Sequence, residues 1–538
     1  MPERSSSTTL TVDALVRSRA ATDGSTLMAV DPTSRISYGD LDATTRDIAA
    51  VFVDAGVGKG TRVGLIMPNS VRWVQIAVAL TRIGAVLVPL STLLASRELV
   101  AQLHVASVQF LVTVEEFRGH RYLDDLTSEL ASPNLENGVQ LHPGLPALRQ
   151  VWTVDRLAHA TAGDGPRRIV DALTGAVTES DPLLVMFTSG SSGPPKGVVH
   201  SHGNALRAVQ SSQHSRCIDA RTRLYLPMPF FWVGGFGSGV LSALLAGATL
   251  VTEQIPQPEA TLQLLERERV TLFRGWPDQA ETVARQAAAA GADLSALRPG
   301  SLEALLPPGQ RAEPGARAKL FGMTESFGPY CGYRADTDMP RSAWGSCGQP
   351  FPGMEVRIVD PESGLPVSTG TVGMIQIRGS HVMRGITRRS REDVFTADGF
   401  YPTGDLGHLD ENGFMFYHGR SDDMFKVSGA TVFPSEVEQA LRTIDGVDNA
   451  FVTNVADAQG NRVGAVVVCD AVLTAEQLRG SARRLLSSFK VPTLWLLQES
   501  DDAVPRGSTG KVDVRRLREM LASANHPFRG SISPAADH

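Results

Sequence analysis

The sequence predicts an α/β fold. It has a large N-terminal body of mostly parallel sheets flanked by helices, a β-rich subdomain, and a small α+β C-terminal domain. Three observations carry this. Between about residues 36 and 115, segments of helical period alternate with short apolar runs, the rhythm of βα units. After about residue 345 the texture changes to short strands between Gly and Asp turns. Beyond Asp422 a smaller set of helical and strand-like segments begins, which divides the chain into 1–421 and 422–538.

The elements follow in order. Tyr38 to Ala55 carries Leu41, Ile48 and Phe52 on one side of a helix. Arg62 to Met67 is an apolar strand closed by a turn at Pro68-Asn69. Val71 to Ile83 reads as a helix and Ala85 to Pro89 as a buried strand. Strands recur at Leu183–Phe187, Leu224–Leu226 and Thr249–Thr252. The stretches MEVRIVD, GMIQIRG and GFMFYHGR supply the β-rich part. The C-terminal domain follows with a helix over Pro434–Leu441, strands near Ala450–Val455 and Val463–Cys469, and a helix from Ala475 to Phe489.

Composition excludes several classes. With 51 basic against 57 acidic residues the net charge is −6, which argues against a nucleic-acid partner and an anionic-membrane binder. The 51 glycines and 32 prolines have no period, so the chain is neither collagen-like nor low-complexity. Four cysteines (Cys217, Cys331, Cys347 and Cys469) are too scattered for a disulfide framework and form no Cys-x-x-Cys pair, which predicts reduced thiols in the cytoplasm. Cys331 and Cys347 read as buried, inert thiols. The N-terminus has no long apolar run, so no secretory leader is expected. The greasiest stretch, Val74 to Leu90, contains Gln75, Thr81 and Arg82, so no membrane span is expected either.

The strongest chemical signal begins at Leu183. An apolar strand runs into Thr188-Ser189-Gly190-Ser191-Ser192-Gly193-Pro194-Pro195-Lys196. Gly190 and Gly193 let the backbone approach a ligand and turn its N–H groups inward. The hydroxyls of Thr188, Ser189, Ser191 and Ser192 add donors, and Lys196 adds positive charge. That is the chemistry of a polyphosphate cradle, although the spacing is not that of a Walker loop. The alternative is a solvated Gly/Ser hairpin, and the strand before and the lysine after favour the cradle. His200 and His202 follow it and read as shaping the next helix rather than binding metal.

This loop resembles the phosphate loop of the adenylate-forming (AMP-binding) superfamily, which includes acyl-CoA synthetases such as fatty-acid-CoA ligases, peptide-synthetase adenylation domains and luciferases. The likeness covers nearly the whole chain, and further motifs occur in the family's order. Phe321-Gly322-Met323-Thr324-Glu325-Ser326 is similar to the aromatic-Gly-x-Thr-Glu segment. The resemblance implies that Phe321 stacks on adenine beside Gly322 and Met323, that Thr324 bonds the α-phosphate, and that Glu325 holds Mg²⁺. Tyr401-Pro402-Thr403-Gly404-Asp405 resembles the family's Thr-Gly-Asp turn, which implies a ribose contact for Asp405. Gly419 to Gly429 resembles the interdomain segment. It implies a ribose or phosphate contact for Arg420, a hinge at Asp422, and a CoA tunnel lined by Lys426 and Gly429. Pro505 to Val512 resembles the C-terminal Gly-Lys motif, which makes Lys511 the lysine of adenylation.

Pro229-Phe230-Phe231-Trp232-Val233-Gly234-Gly235 is similar to the acyl-pocket segment, with Trp232 where many relatives carry histidine. Gly234 and Gly235 are expected to leave room for a bulky group. The segment lacks the acidic residue that amino-acid-activating relatives use, so a largely apolar carboxylic acid is the expected small-molecule partner. A second departure lies at 302–320, where the Gly-Gly-Ala turn of many relatives is missing and the helix before Phe321 is expected to be shortened.

The resemblance implies two half-reactions that use ATP, Mg²⁺ and CoA. A carboxylate becomes an acyl-adenylate with release of pyrophosphate. The acyl group then passes to the CoA thiol, with a mobile C-terminal domain exchanging Lys511 for the Lys426–Gly429 loop. The rival readings are an adenylating ligase that serves an amine or a carrier protein, and a non-catalytic acyl-adenylate-binding protein. The sequence leaves the oligomeric state, homodimer included, open.

Overall fold

The computed structural model describes residues 10–130, 142–188, 195–421, 425–427, 430–457, 460–469, 473–486, 488–507 and 511–524. The chain forms two compact units. The first comprises Met1–Arg357, Gln376–Pro402 and Leu409–Phe416; the second comprises Ile358–Ile375, Thr403–His408 and Tyr417–His538.

Two sheets frame the first unit. One has seven strands in the spatial order Gly385–Ile386, Lys196–Ser201, Pro182–Thr188, Val86–Pro89, Arg62–Ile66, Phe110–Thr113 and Gln150–Thr153. Its pairings are parallel from Pro182–Thr188 to Gln150–Thr153 and antiparallel on either side of Lys196–Ser201. The other has five strands, Leu272–Phe273, Arg223–Tyr225, Thr249–Val251, Leu27–Val30 and Arg35–Ser37, all parallel except the last pair. The βα rhythm of the sequence is therefore a real alternation, and short apolar strands buried on both faces are its signature.

The helices Tyr38–Asp54 and Val71–Arg82 share one apolar core with both sheets, which includes Met28, Leu87, Leu224 and Leu250. Each starts on a serine cap: Ser37 accepts from the Asp40 amide and Ser70 from the Trp73 amide, both at 3.1 Å. Val71–Arg82 is enclosed on nearly every side, as expected of a helix apolar all round. Of its two arginines, Arg72 is half-buried and Arg82 is 1 % exposed. The Arg82 guanidinium donates to Asp13 Oδ1 at 2.7 and 3.0 Å, to Asp42 Oδ1 at 2.7 Å and to Thr45 Oγ1 at 2.7 Å. Burying this cation is tolerable only because nearly all of its donors are matched. Among the described residues no helix is long and apolar enough to cross a membrane.

The helix of the 302–320 segment is shortened, as expected. Between Gly291 and Phe321 there are only two single 3₁₀ turns, Glu303–Leu305 and Pro308–Gln310. Pro307 and Pro308 supply no amide hydrogen, which blocks an α-helical ladder there.

The second unit holds a three-stranded sheet. Val447–Asp457 pairs antiparallel with Gly460–Cys469, which pairs parallel with Leu494–Gln498. Helices Pro434–Leu441 and Ala475–Leu485 share one apolar cluster with it, and Val514–Ala524 belongs to another. The helix from Ala475 ends at Leu485 rather than Phe489. Leu486 is extended, and a separate 3₁₀ turn covers Ser488–Lys490.

Burial in the first unit has a pH signature. His200, His202 and His381 are 0, 0 and 2 % exposed. Desolvation pushes each from the ordinary 6.5 down to about 4. The unfolded chain therefore binds more protons than the folded one between these values. Stability is complete above about pH 6.5 and is lost as pH falls towards 4, by up to about 1.4 kcal/mol per pH unit for each histidine. The urea midpoint should be lower at pH 5 than at pH 7, and His202→Gln should narrow the gap. Equal midpoints at the two pH values would contradict this.

Candidate active site

The phosphate-loop candidate joins two strands whose register is fixed. Pro182–Thr188 and Lys196–Ser201 run antiparallel with Thr188 opposite Lys196. Both residues are half-buried at the open end of the hairpin. Ser189, Gly190, Ser191, Ser192 and Gly193 lie outside the described residues. Gly197, just after the lysine, has no room for a side chain. A Cβ there would sit 2.8 Å from Val185 Cγ1 and 2.9 Å from Thr387 Oγ1.

The Phe321 motif is a braced turn. Phe321–Met323 pairs antiparallel with Gly328–Gly332, and Thr324–Ser326 forms a single 3₁₀ turn between them. A side chain on Gly322 would meet the Gly328 carbonyl oxygen at 2.0 Å. The Ser326 hydroxyl lies 2.7 Å from the Gly328 carbonyl and 3.1 Å from that of Met323, and it accepts from the Met323 amide at 3.2 Å. Phe327 closes the turn at φ 52°, a left-handed conformation that a bulky residue adopts only when its surroundings enforce it. The Phe321 ring meets Tyr330 edge-on, with centroids 5.6 Å apart. Glu325 is 7 % exposed, accepts from the Tyr401 hydroxyl at 3.2 Å, and offers its carbonyl to the Met383 amide at 2.8 Å.

A histidine joins this turn to the phosphate strand. His200 Nε2 lies 2.7 Å from the Thr324 carbonyl oxygen, and its Nδ1 lies 2.6 Å from Asn204 Nδ2. A carbonyl can only accept, so Nε2 carries the hydrogen and Nδ1 accepts from Asn204. Asn204 is itself fixed, because its Oδ1 accepts from the Ser201 amide at 2.6 Å. His202 turns elsewhere and accepts from the Val12 amide at 3.3 Å.

The acyl-pocket candidate is pegged by Asn69. This side chain donates to the Met228 carbonyl at 2.9 Å and accepts from the Phe230 amide at 2.8 Å. Trp232 precedes the short helix Val233–Gly235 and meets Trp276 edge-on, centroids 6.4 Å apart and rings at 84°. A Cβ on Gly237 would lie 3.0 Å from the Phe327 ring, and one on Gly328 would lie 3.3 Å from Val233 Cγ1. The Trp232 segment therefore packs directly on the Thr324 turn. A Cβ on Gly235 would fall 2.1 Å from the Pro229 carbonyl oxygen, and one on Gly234 2.9 Å from Met228 Sδ, so their missing side chains let the chain pack closely on itself.

In the second unit, Asp405 and Arg420 come together. Arg420 Nη1 donates to Asp405 Oδ1 at 3.3 Å and to the Thr403 carbonyl at 2.9 Å. Gly404 lies at φ 74°, and a Cβ there would meet Arg420 Nη2 at 2.9 Å. Lys511 is exposed, the Gly507 amide donates to its carbonyl at 2.8 Å, and Arg506 and Val512 form an antiparallel bridge. Lys426 lies in the hairpin Phe425–Val427 with Ala430–Val432, opposite Thr431. Asp422 and Gly429 fall outside the described residues.

Four contributors were not foreseen as such: His200 as the link to Thr324, Asn69, Tyr401 beside Glu325, and Trp276. The available signal for His200 was a polar residue at an inward position of an apolar strand. For Asn69 it was a turn asparagine directly before a serine-capped helix.

Residues 16–387 match the family model of the AMP-binding enzyme. The chain is 30 % identical over 517 residues to the 3-[(3aS,4S,7aS)-7a-methyl-1,5-dioxo-octahydro-1H-inden-4-yl]propanoyl:CoA ligase of Rhodococcus jostii (strain RHA1), covering 93 % of this chain and 97 % of that one. It is 29 % identical over 511 residues to the indoleacetate–CoA ligase of Aromatoleum aromaticum, covering 91 % and 94 %. The fold is similar to that of an O-succinylbenzoate coenzyme A synthetase from Bacillus subtilis solved with ATP and a magnesium ion. There the TM-score is 0.76 at 22 % identity, and 94 % of this chain and 98 to 99 % of the B. subtilis chain are covered. The braced Phe321–Phe327 turn, the hairpin that ends at Lys196 and these comparisons place the chain in the AMP-binding enzyme family.

Proposed function

We propose that this protein is an AMP-forming acyl-CoA synthetase acting on a largely apolar, ring-bearing carboxylic acid. The observation that carries the reading is the packing, within one unit, of three features: the Thr188/Lys196 hairpin, the Thr324–Glu325 turn and the Trp232 segment. A phosphate cradle, a carboxylate and an apolar wall meet there, which is what an acid attacking a nucleotide phosphate requires.

In the first half-reaction, a carboxylate oxygen of the substrate attacks the α-phosphorus of MgATP. The α–β bridging bond breaks and pyrophosphate leaves. Lys196, Thr188 and the loop of Ser189 to Gly193 hold the β- and γ-phosphates. Phe321, Gly322 and Met323 face the adenine, Thr324 bonds the α-phosphate, and Asp405 and Arg420 serve the ribose. Lys511 offsets charge developing around the α-phosphate and the leaving group. Glu325 is the one acidic side chain assigned to the metal. Among the described residues no cluster of three or more histidines, cysteines or carboxylates could hold an ion alone. A single hard oxygen donor fits Mg²⁺ that arrives with the phosphates as part of the substrate.

In the second half-reaction the CoA thiol, having lost its proton, attacks the acyl carbon, AMP leaves, and the thioester forms. Lys426 and Gly429 line the approach of the thiol. Asp422 is the hinge between a body of 1–421 and a domain of 422–538 that exchanges Lys511 for that loop. The names of the relatives, a bicyclic propanoyl ligase and an indoleacetate ligase, support a ring-bearing acid, as do the indoles of Trp232 and Trp276. All four cysteines carry thiols rather than disulfides, which fits a cytoplasmic setting.

Two experiments test this. Pyrophosphate release should be followed with MgATP and a panel of ring-bearing and straight-chain acids, with and without CoA. Lys511→Ala should lower release by about a hundredfold to a thousandfold, yet still convert a pre-formed acyl-adenylate to acyl-CoA. Loss of both steps together would remove Lys511 from its assigned role. Trp232→Ala should raise KM for ring-bearing acids several-fold while leaving KM for MgATP within about twofold, since packing lost in an apolar pocket acts on the acid alone. A uniform change in both constants would place Trp232 outside the acyl pocket.

A further inference from the structure

We propose that His200 is a positioning residue for adenylation. It locks the Thr324–Glu325 turn to the strand that carries Lys196, so that the phosphate cradle and the metal-bearing turn move as one body. The inference rests on the roles assigned above to Lys196, Thr324 and Glu325.

Side chains alternate along a strand, so Lys196, Val198 and His200 share one face of Lys196–Ser201. The Thr324 turn meets that face through His200. The imidazole has no solvent contact and both of its nitrogens are committed: Nε2–H to the Thr324 carbonyl at 2.7 Å, and Nδ1 to Asn204 at 2.6 Å. Its ring also meets Phe327 edge-on at 4.9 Å, against the residue whose left-handed backbone closes the turn. Thr324 and Glu325 are thus held by His200, by the Tyr401 hydroxyl and by the Met383 amide, whose neighbour Arg384 donates to the Val199 carbonyl at 2.8 Å. Burial keeps the imidazole neutral, so the donor at Nε2 persists across the physiological range. Of the groups holding the turn, only His200 comes from the strand that starts at Lys196. The pairing with Thr188 sets Lys196 at one end of that strand, and His200 places the turn near its other end.

His200 touches neither nucleotide nor acid in this reading, so its effect must pass through geometry. His200→Phe keeps the ring against Phe327 and removes the donor. His200→Gln returns an N–H at the position of Nε2 and should restore function. Measured by pyrophosphate release, His200→Phe should lose ten- to a hundredfold in kcat/KM for MgATP, with KM for the acid within about twofold of wild type. His200→Gln should recover to within about fivefold. Calorimetric titration with MgATP, without acid, should show weaker binding for His200→Phe and near-normal binding for His200→Gln. If His200→Phe does not fold, His200→Asn, which keeps the Asn204 side only, takes its place with the same expected loss.

A folded His200→Phe with wild-type MgATP binding and turnover would overturn the proposal. So would a folded His200→Gln as defective as His200→Phe. If wild type binds MgATP but releases no pyrophosphate with any acid, the proposed function fails for that panel, while the MgATP titrations of the variants still decide the role of His200.

Discussion

The antiparallel pairing of Pro182–Thr188 with Lys196–Ser201 is the constraint on which the rest of the first unit's chemistry depends. It brings Thr188 and Lys196 opposite one another and so fixes both ends of the intervening loop. It also decides which residues face the Thr324 turn. A slip of one residue would turn Lys196 and His200 to the opposite face and present Gly197 and Val199 instead. Such a slip is opposed on both sides. The strand is held by Pro182–Thr188 on one edge and by Gly385–Ile386 on the other, and Gly197 fits only where Val185 and Thr387 leave it space.

The same economy governs the buried polar groups. Two of them tie together segments distant in sequence. Arg82 fastens the helix Val12–Asp23, through Asp13, to Tyr38–Asp54, through Asp42 and Thr45. Asn69 fastens the turn after Arg62–Ile66 to the Met228–Phe230 stretch beneath Trp232. A buried group with its partners satisfied contributes little net stability, but removing one partner strands the other without water. These side chains therefore specify geometry more than they add stability, which is what a site made of three loops on different elements needs.

Much of this was legible in the sequence, and the limits have physical causes. Strands and helices carried by strong apolar periodicity, such as Val71–Arg82 and Pro434–Leu441, were placed to within a residue or so because burial dictates the pattern. The order strand, Ser/Gly loop, lysine could be read because it is local. The His200–Thr324 bond could not, since its partners are 124 residues apart and a lone histidine says nothing about its acceptor. The close approach of Gly235 to the carbonyl of Pro229 was not legible either, since a glycine pair does not name the atoms that its missing side chains admit. In the 302–320 segment the sequence signalled an irregular stretch, and the paired prolines determined what replaced the helix.

The distribution of charge bears on why two half-reactions need separate groups. In the first unit Glu325 is nearly enclosed and shares its carboxylate with the Tyr401 hydroxyl. A buried carboxylate facing a polyphosphate is repulsive unless a cation lies between them, so on the proposed reading the turn selects MgATP over the free nucleotide. Lys511, by contrast, is exposed, and its carbonyl accepts from the Gly507 amide. An exposed lysine contributes strongly only when a site excludes water around it. On the proposed reading the charge of Glu325 stays with the braced turn, while that of Lys511 is withdrawn before the thiol enters. An enzyme that must first stabilise pyrophosphate as a leaving group and then admit a thiol would gain from that division, because the two steps place different demands on the same space.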